Sequence, residues 1–200
     1  MYSIVYTYMY TVEDLKVYSI GFVRAYPIIS IVFFILFGFI FKLDCLLFLV
    51  PLVLLPDYAN SCITKPIIHN ICTQLGIGHI SARPKGAKNC GAFIDEHNIN
   101  KLSNTYGMPS GHSLSSMIIS FFLIGYIIDH HEKNIQRDIL IIVVFLLGVS
   151  ICISRVYLNC HTILQIIIGG MLGSLIGYYG YSGYKQLKQG NKYLKFKINI

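Results

Sequence analysis

Residues 139–153 read ILIIVVFLLGVSICI, an apolar run without a charged side chain. The polar stretch 129–138 precedes this run, and Ser154 and Arg155 follow it. A helix that crosses a bilayer needs about 20 mostly apolar residues, which this run and its immediate flanks provide. The pattern therefore predicts a transmembrane helix here.

The composition of the whole chain points the same way. Hydrophobic residues make up 54% of the 200 residues and charged residues 12%, and the mean hydropathy is +0.61. An ordinary soluble domain carries about 25% charged residues. A chain with half that charge cannot cover its surface in water, which excludes a soluble enzyme, a disordered chain and a coiled coil. We expect a single integral membrane domain over residues 1–200.

Other segments have the apolar character of a span, although two of them are weak. These segments are 20–41, 45–55 with an extension to about 63, 64–80, 114–128 and 163–181. Pro56 and Asp57 end the second segment early, and polar side chains such as Lys65 and Asn70 interrupt the third. The pattern predicts an all-α, polytopic membrane bundle of about six transmembrane helices, with five as the alternative.

The last predicted span contains four glycines, which are Gly169, Gly170, Gly173 and Gly177. Small residues spaced four apart allow membrane helices to approach closely. Glycine is also simply common in membrane helices. The sequence leaves both explanations open.

Basic residues are concentrated after this span. The net charge is +7, and the tail 182–200 contains five of the sixteen basic residues, namely Lys185, Lys188, Lys192, Lys195 and Lys197. Lysines beside a span are typical of an orientation signal, so we expect no nucleic-acid partner. At the other end, Glu13 and Asp14 are not typical of a removable signal peptide.

Two polar stretches, 81–112 and 154–161, emerge on the same side of the membrane if the spans alternate. Arg83 lies in the first stretch and Arg155 in the second, and His112 and His161 close the two stretches. The planar guanidinium of arginine suits bidentate phosphate binding. The helix N-terminus that follows Pro109-Ser110-Gly111 favours an anion. These residue types indicate phosphate chemistry.

The two histidines can divide the remaining chemistry. One attacks phosphorus as a neutral imidazole, and the other, protonated, donates to the leaving oxygen. A nucleophilic imidazole needs an acceptor on its other nitrogen. Gln165 follows His161 by four residues, which places its carbonyl oxygen on the same helix face.

These motifs resemble a known family. Arg83-Pro84, the segment 109–112, and Ser154-Arg155 with His161 are similar to the three signature segments of the phosphatidic acid phosphatase type 2 superfamily, whose members are metal-independent membrane phosphatases with a six-helix core. Segments 107–112 and 154–165 most resemble the dolichyldiphosphatase branch, including glutamine at position 165. The resemblance covers roughly 61–177, within a signature-bearing core of about 61–181.

The resemblance implies a role for each matching residue. His161 would be the nucleophile that forms a phosphohistidine, His112 the general acid, and Gln165 the residue that orients His161. The phosphate-binding residues would be Arg83, Arg155, Ser110 and Gly111. No metal and no cofactor would be needed.

The implied reaction is hydrolysis of a polyprenyl (dolichyl) diphosphate to the monophosphate in the bilayer. A phosphatase for phosphatidic acid or another lipid monophosphate is the alternative, as is a catalytically dead relative that serves as an interaction module. The tail lysines make the opposite face cytoplasmic, so the site would face the lumen of the endoplasmic reticulum. Such a lumen would permit a Cys90–Cys160 disulfide.

One position departs from the family pattern. The family places a phosphate-binding lysine seven residues before the arginine of Arg-Pro, and Gly76 occupies that position here. Lys65 lies eighteen residues before Arg83, which in a continuous helix is too far by about 16 Å. Either Gly76 and Gly78 break the helix and fold Lys65 back, or the role is lost or taken by Lys85 or Lys88.

Overall fold

The computed structural model describes the backbone of residues 2–87, 90–91 and 105–198 and the side chains of 20–87, 90–91 and 105–190. Regular structure in this part of the chain is entirely helical. The elements are α1 (Tyr2–Ile40), α2 (Asp44–Ala59), a π-helical turn (Asn60–Thr64), α3 (Lys65–Gln74), α4 (Gly78–Ser81), α5 (Gly111–His130), α6 (Ile135–Tyr157) and α7 (Ile163–Ile198). The prediction of a polytopic helical membrane bundle is confirmed.

Five helical stretches in the described residues are long and apolar enough to cross a bilayer. They are Ile20–Ile40, Asp44–Gln74, Gly111–His130, Ile135–Tyr157 and Ile163–Gly190. The five-span alternative therefore replaces the six-span count. The predicted second and third spans form one helical stretch, because α2 continues through the π-helical turn into α3.

Five spans also change the expected topology. Residues 75–87, 90–91 and 105–110 and the turn 158–162 lie on one face of the bundle, here called the site face. The loops 41–43 and 131–134 lie on the other, here called the tail face. With an odd number of spans, α1 enters the membrane from the site face, whereas six spans would have placed the start of the chain on the tail face.

Helix α5 lies at the centre of the bundle. Its residues Leu114, Ile118 and Phe122 are buried, and they pack in one apolar core with residues of α2 and α7 such as Leu49 and Tyr181. Ser110 caps α5 by accepting a hydrogen bond from the Ser113 N–H. Burial of this helix places its N-terminus inside the protein, away from lipid.

The glycines of α7 bring it close to α5. A Cβ at Gly169 would lie 2.6 Å from the Ser110 carbonyl oxygen, and a Cβ at Gly177 would lie 2.5 Å from that of Ile118. Gly173 faces the Leu114 carbonyl oxygen in the same way. The close-approach explanation is confirmed for these three glycines. Gly170 requires no such close approach, because the nearest atom to a Cβ there is Met117 Cγ of α5 at 3.7 Å, an ordinary contact distance.

At the tail face, charged side chains connect α7 to its neighbours. Lys188 Nζ lies 2.7 Å from Asp44 Oδ2, and Lys185 Nζ lies 2.6 Å from Asp129 Oδ2. Tyr184 donates a hydrogen bond to Asp44 and Tyr181 donates one to Asp129. These two lysines thus anchor the helix in addition to any effect on orientation. The side chains of Lys192, Lys195 and Lys197 lie outside the described residues.

Candidate active site

The segment that carries Arg83 returns toward α3 after a sharp turn. Helix α3 ends at Gln74, and Gly76 has a φ of 73°, a left-handed conformation that glycine adopts without strain. His69 Nδ1 and Ser81 Oγ are 2.9 Å apart, although twelve residues of continuous helix would span about 18 Å. The helix is therefore broken at Gly76, as the first alternative for Lys65 required.

This turn brings Lys65 into the site. Lys65 lines the same cavity as Arg83, His112 and His161. Lys85 is not among the residues that line it, and Lys88 lies outside the described residues. The 16 Å mismatch expected for a continuous helix does not arise, because α4 runs back along α3.

A second turn presents His161. Helix α6 ends after Tyr157, where Asn159 has a φ of 52°. The N–H groups of Cys160 and His161 both bond to the carbonyl oxygen of Arg155. This pattern is typical of a helix that ends in a left-handed residue, a conformation that asparagine tolerates better than most residues. The turn places the His161 side chain on the cavity wall.

The amide of Gln165 fixes the orientation of His161. Gln165 Nε2 donates to the carbonyl oxygens of Ile80 (3.0 Å) and Ala82 (2.6 Å), so the oxygen of the amide must point the other way. Gln165 Oε1 lies 3.1 Å from His161 Nδ1. An amide oxygen only accepts hydrogen bonds, so Nδ1 carries the proton and Nε2 keeps its lone pair.

His161 Nε2 faces the guanidinium of Arg83. The distance from Nε2 to Arg83 Nη1 is 3.3 Å, and only 3% of the His161 surface is exposed. Burial, followed by the positive charges of Arg83, Lys65 and Arg155, lowers the pKa of His161 below its ordinary range. The imidazole is therefore neutral at physiological pH.

The two arginines are held differently. Arg83 Nη1 donates to the Cys160 carbonyl oxygen at 2.9 Å, and its Nε and Nη2 bond to Thr105. Arg155 is fully buried and donates from Nη2 to the Cys90 carbonyl oxygen at 2.8 Å. Its Nε and Nη1 have no hydrogen-bond partner among the described residues. Buried donors without a partner are costly, which indicates a site for an acceptor.

Cys90 and Cys160 form a disulfide, the pairing that an oxidising lumen would permit. It joins the segment after Arg83 to the turn that presents His161. The bond therefore ties together the two carbonyl groups that hold Arg83 and Arg155.

The residues of the motif at the start of α5 do not all line the cavity. Gly111 and His112 line it, whereas Ser110 is fully buried and its hydroxyl caps the helix. His112 Nε2 lies 2.9 Å from the carbonyl oxygen of Arg24, to which it donates. Sequence reasoning assigned Ser110 to phosphate; the observed contacts of its side chain are with Ser113.

Arg83, His112 and His161 line a cavity of about 540 Å³, whereas Arg155, Gln165 and Ser110 are not among its lining residues. Its charged or titratable lining residues include Asp57, Lys65, Arg83, His112 and His161. Among the described residues, no group of three or more His, Cys, Asp or Glu side chains is arranged to hold a metal ion. The cavity thus combines an oriented neutral imidazole with several cations.

Two charged residues near the cavity were not singled out by the sequence. Asp57 lines it from α2, and Arg24 of α1 bonds to His112 through its backbone. The available signal was a charged side chain inside an apolar segment, which is rare in membrane helices and often functional.

Comparison with known families now identifies this arrangement. Residues 57–189 match the profile of the PAP2 superfamily. The chain belongs to the PAP2 superfamily. The matched region includes each residue that the motifs predicted for the site, so the superfamily inferred from the sequence is confirmed.

Curated relatives of this PAP2 chain come from one group. The mouse sphingosine-1-phosphate phosphatase 2 is 37% identical over 67 residues, which cover 34% of this chain and 18% of the relative. The human sphingosine-1-phosphate phosphatase 2 is 30% identical over 76 residues, which cover 38% and 18%. The matched part thus spans less than a fifth of these relatives. No solved structure matches the chain significantly. The closer resemblance to dolichyldiphosphatase stays a prediction.

Proposed function

We propose that this protein is a metal-independent lipid phosphatase that acts through a phosphohistidine on His161. The observation that carries the proposal is the bond between His161 Nδ1 and Gln165 Oε1, which leaves the lone pair on Nε2, the nitrogen that faces Arg83 Nη1. A neutral imidazole in this tautomer is a nucleophile. The family match supports the same activity.

The cations of the cavity would hold the phosphate for this attack. Arg83 lies beside Nε2, and Arg155, which does not itself line the cavity, offers Nε and Nη1, two buried donors without a partner among the described residues. Lys65 takes the place of the family lysine, and the first turn of α5 at Gly111 offers backbone N–H groups. Ser110 supports this turn as its cap.

The reaction would proceed in two steps. The Nε2 lone pair forms a bond to phosphorus while the bond from phosphorus to the lipid oxygen breaks, and the departing oxygen takes a proton from His112. Water then attacks the phosphohistidine and gives a proton to His112, and the nitrogen–phosphorus bond breaks. Because His112 Nε2 bonds to the Arg24 carbonyl oxygen, Nδ1 is the nitrogen free to exchange this proton.

Two substrate classes are supported by different observations. The names of the mouse and human relatives favour a lipid monophosphate such as sphingosine 1-phosphate. Glutamine at position 165 and the resemblance of segments 107–112 and 154–165 favour a polyprenyl diphosphate such as dolichyl diphosphate. The oxygen expelled from a diphosphate belongs to a phosphate monoester and is less basic than the alkoxide expelled from a lipid monophosphate. Such a good leaving group suits His161, because its partner Gln165 is neutral and does not raise the basicity of the imidazole as a carboxylate would.

The direct test is phosphate release by the purified full chain in detergent with a metal chelator present. The panel contains sphingosine 1-phosphate, phosphatidic acid and dolichyl diphosphate, with His161→Ala as the control. We expect release from at least one lipid by the wild type and none by the variant. Release from no lipid phosphate would instead support the interaction-module alternative.

We also propose that the protein resides in the endoplasmic reticulum with the site facing the lumen. The Cys90–Cys160 disulfide supports an oxidising compartment for this face. Lys185 and Lys188 lie at the opposite face, where the positive-inside rule places lysines.

A further inference from the structure

Asp57 is a carboxylate in the wall of a cavity that is otherwise built for an anion. It lines the cavity together with Lys65 and Arg83, and a Cβ at Gly111 would lie 2.8 Å from its Oδ1. The carboxylate therefore faces the first residue of α5, next to the proposed phosphate position. A negative charge there repels phosphate, so phosphate binding alone does not explain it.

The carboxylate makes no hydrogen bond or close ion pair within the part of the chain that the structure describes. The positive charge of Lys65 acts on it, but from beyond ion-pair distance. Other carboxylates at helix ends in this bundle are paired, as Asp44 is with Lys188 and Asp129 with Lys185. An unpaired carboxylate inside a span is expensive and indicates a binding role.

The depth of Asp57 in the bilayer suggests what it binds. Asp57, Ser61 and Lys65 line the cavity from one continuous helical stretch that runs from the tail face to the site face. Asp57 precedes Lys65 by eight residues, about 12 Å of helix, so it lies on the lipid side of the phosphate-binding cations. A lipid phosphate bound by those cations extends its first carbon atoms in this direction.

We propose that Asp57 binds an ammonium group on the substrate, carried by the carbon next to the one that bears the phosphate ester. The substrate class is then a 2-amino lipid 1-phosphate, with the phosphate on Lys65, Arg83 and Arg155 and the ammonium on Asp57. This inference rests on the proposed function and narrows its substrate. Ser61, one helical turn from Asp57, is placed to accept or donate a hydrogen bond to a neighbouring hydroxyl of such a lipid.

The test compares two lipids that differ only at the amine. Sphingosine 1-phosphate carries an ammonium, and its N-acetyl derivative has the same chain and phosphate without that charge. The kcat/KM ratio for the two lipids is measured with the purified full chain. We expect the wild type to prefer the free amine by at least about tenfold, Asp57→Asn to bring the ratio close to one, and Asp57→Glu to retain much of the preference.

Several features keep this experiment decisive. A ratio within one variant does not depend on how much of that variant is folded, and the added bulk of the acetyl group is the same for wild type and Asp57→Asn. Asp44→Asn removes the other carboxylate of α2, at the tail face, and is expected to leave the ratio unchanged.

Each remaining outcome has a separate meaning. A wild-type ratio near one, with both lipids hydrolysed, overturns the role of Asp57 and leaves the phosphatase standing. If Asp57→Asn loses activity equally toward sphingosine 1-phosphate and its N-acetyl derivative, Asp57 does not bind the ammonium group. Its role is then to balance the charge of Lys65. Hydrolysis of neither lipid by the wild type, with dolichyl diphosphate cleaved, excludes the amino lipid. No hydrolysis of any lipid phosphate contradicts the proposed function itself.

Discussion

Among the single residues of the site, Gln165 makes both kinds of hydrogen bond, whereas an ionised carboxylate at this position could only accept. Its oxygen accepts from His161, while its nitrogen donates to the Ile80 and Ala82 carbonyl oxygens beside Arg83. Gly107 leaves room for this amide, because a Cβ there would lie 2.5 Å from Gln165 Oε1. One side chain thus connects the proposed nucleophile to the segment that carries Arg83, the proposed phosphate-binding arginine.

The roles of the two histidines can be separated by trapping the intermediate. His161→Ala is expected to abolish turnover and the acid-labile phosphoenzyme, because no nucleophile remains. His112→Ala is expected to slow turnover by about 10²- to 10⁴-fold through loss of proton donation. The measurement is radiolabel retained on protein after quenching during turnover. An adduct of wild-type amount in His161→Ala would show that another residue is the nucleophile.

The pH dependence should reflect the environment of His161. Its pKa is lowered from the ordinary 6.5, so the imidazole remains neutral as the pH falls below 6.5 and loses activity only as the pH falls through the lowered pKa. We expect the acid limb of kcat/KM attributable to His161 to lie well below pH 6.5. A carboxylate in Gln165→Asp attracts the proton and should move this limb to higher pH. Gln165→Glu, which keeps the side-chain length, is the matched variant.

The same variants test the choice between substrate classes. If the weakly basic imidazole favours a good leaving group, the wild-type kcat/KM ratio of dolichyl diphosphate over phosphatidic acid exceeds one and falls in Gln165→Asp. A wild-type ratio at or below one would exclude the diphosphate preference. An unchanged ratio in Gln165→Asp would remove the electrostatic reason for it. In Gln165→Asp the carbonyl oxygens of Ile80 and Ala82 lose the hydrogen bonds from Gln165 Nε2, so activity toward every substrate is expected to fall. The ratio of two kcat/KM values measured on the same variant is not affected by such a general loss.

Among the helices, the contact between α5 and α7 positions both of the proposed catalytic motifs. The Ser110 N–H bonds to the Gln165 carbonyl oxygen at 3.1 Å, so the start of α5 and the start of α7 are connected directly. Below this bond, Gly169, Gly173 and Gly177 keep the two helices in contact. The distance between His112 and His161 therefore depends on small residues far from the cavity.

This contact can be tested by adding one methyl group. Gly173→Ala places a Cβ against the Leu114 carbonyl oxygen and is expected to destabilise the fold by about 1–3 kcal/mol through overpacking. Gly170→Ala adds the same atom where the nearest atom is Met117 Cγ of α5 at 3.7 Å, an ordinary contact distance. We expect that control to be neutral or slightly stabilising, since alanine favours helix. Thermal unfolding midpoints in detergent provide the measurement, and equal midpoints would contradict the packing argument.

In the molecule as a whole, one end of the bundle carries the candidate site and the other end carries the ion pairs that connect the helices. The site face gathers the turns that carry Arg83 and His161, and the tail face holds α2, α5 and α7 together through Asp44, Asp129 and the lysines paired with them. The odd number of spans places the start of α1 with the site and the basic tail opposite it.

Glycosylation mapping can check this topology. Acceptor sites inserted near Asn98, a position outside the described residues, are expected to be glycosylated if the site faces the lumen. Five spans further predict glycosylation of an acceptor before α1 and none of one in the tail. Modification of the tail alone would reverse the orientation, and modification near Asn98 without modification before α1 would restore an even number of spans.

From the sequence alone it was possible to predict that the protein lies in a bilayer, that it is helical and that its polar stretches carry residues suited to phosphate chemistry. Hydrophobic runs, arginines next to proline or serine, and two histidines after polar stretches are local features, and local features can be read along a chain. The partner of His161 was also predictable, because a spacing of four residues fixes a helix face whatever the rest of the fold does.

Which distant residues meet in the cavity could be seen only from the packed fold. A single backbone turn at Gly76 brings Lys65 to the site, and no local propensity states where the chain goes after such a turn. The merging of two weak apolar segments into one span likewise depends on the π-helical turn Asn60–Thr64, through which α2 continues into α3. The position of Asp57 in the cavity wall depends on the packing of α2 against α5. A charged residue in an apolar run indicates only that the charge needs a partner, and the sequence does not identify that partner.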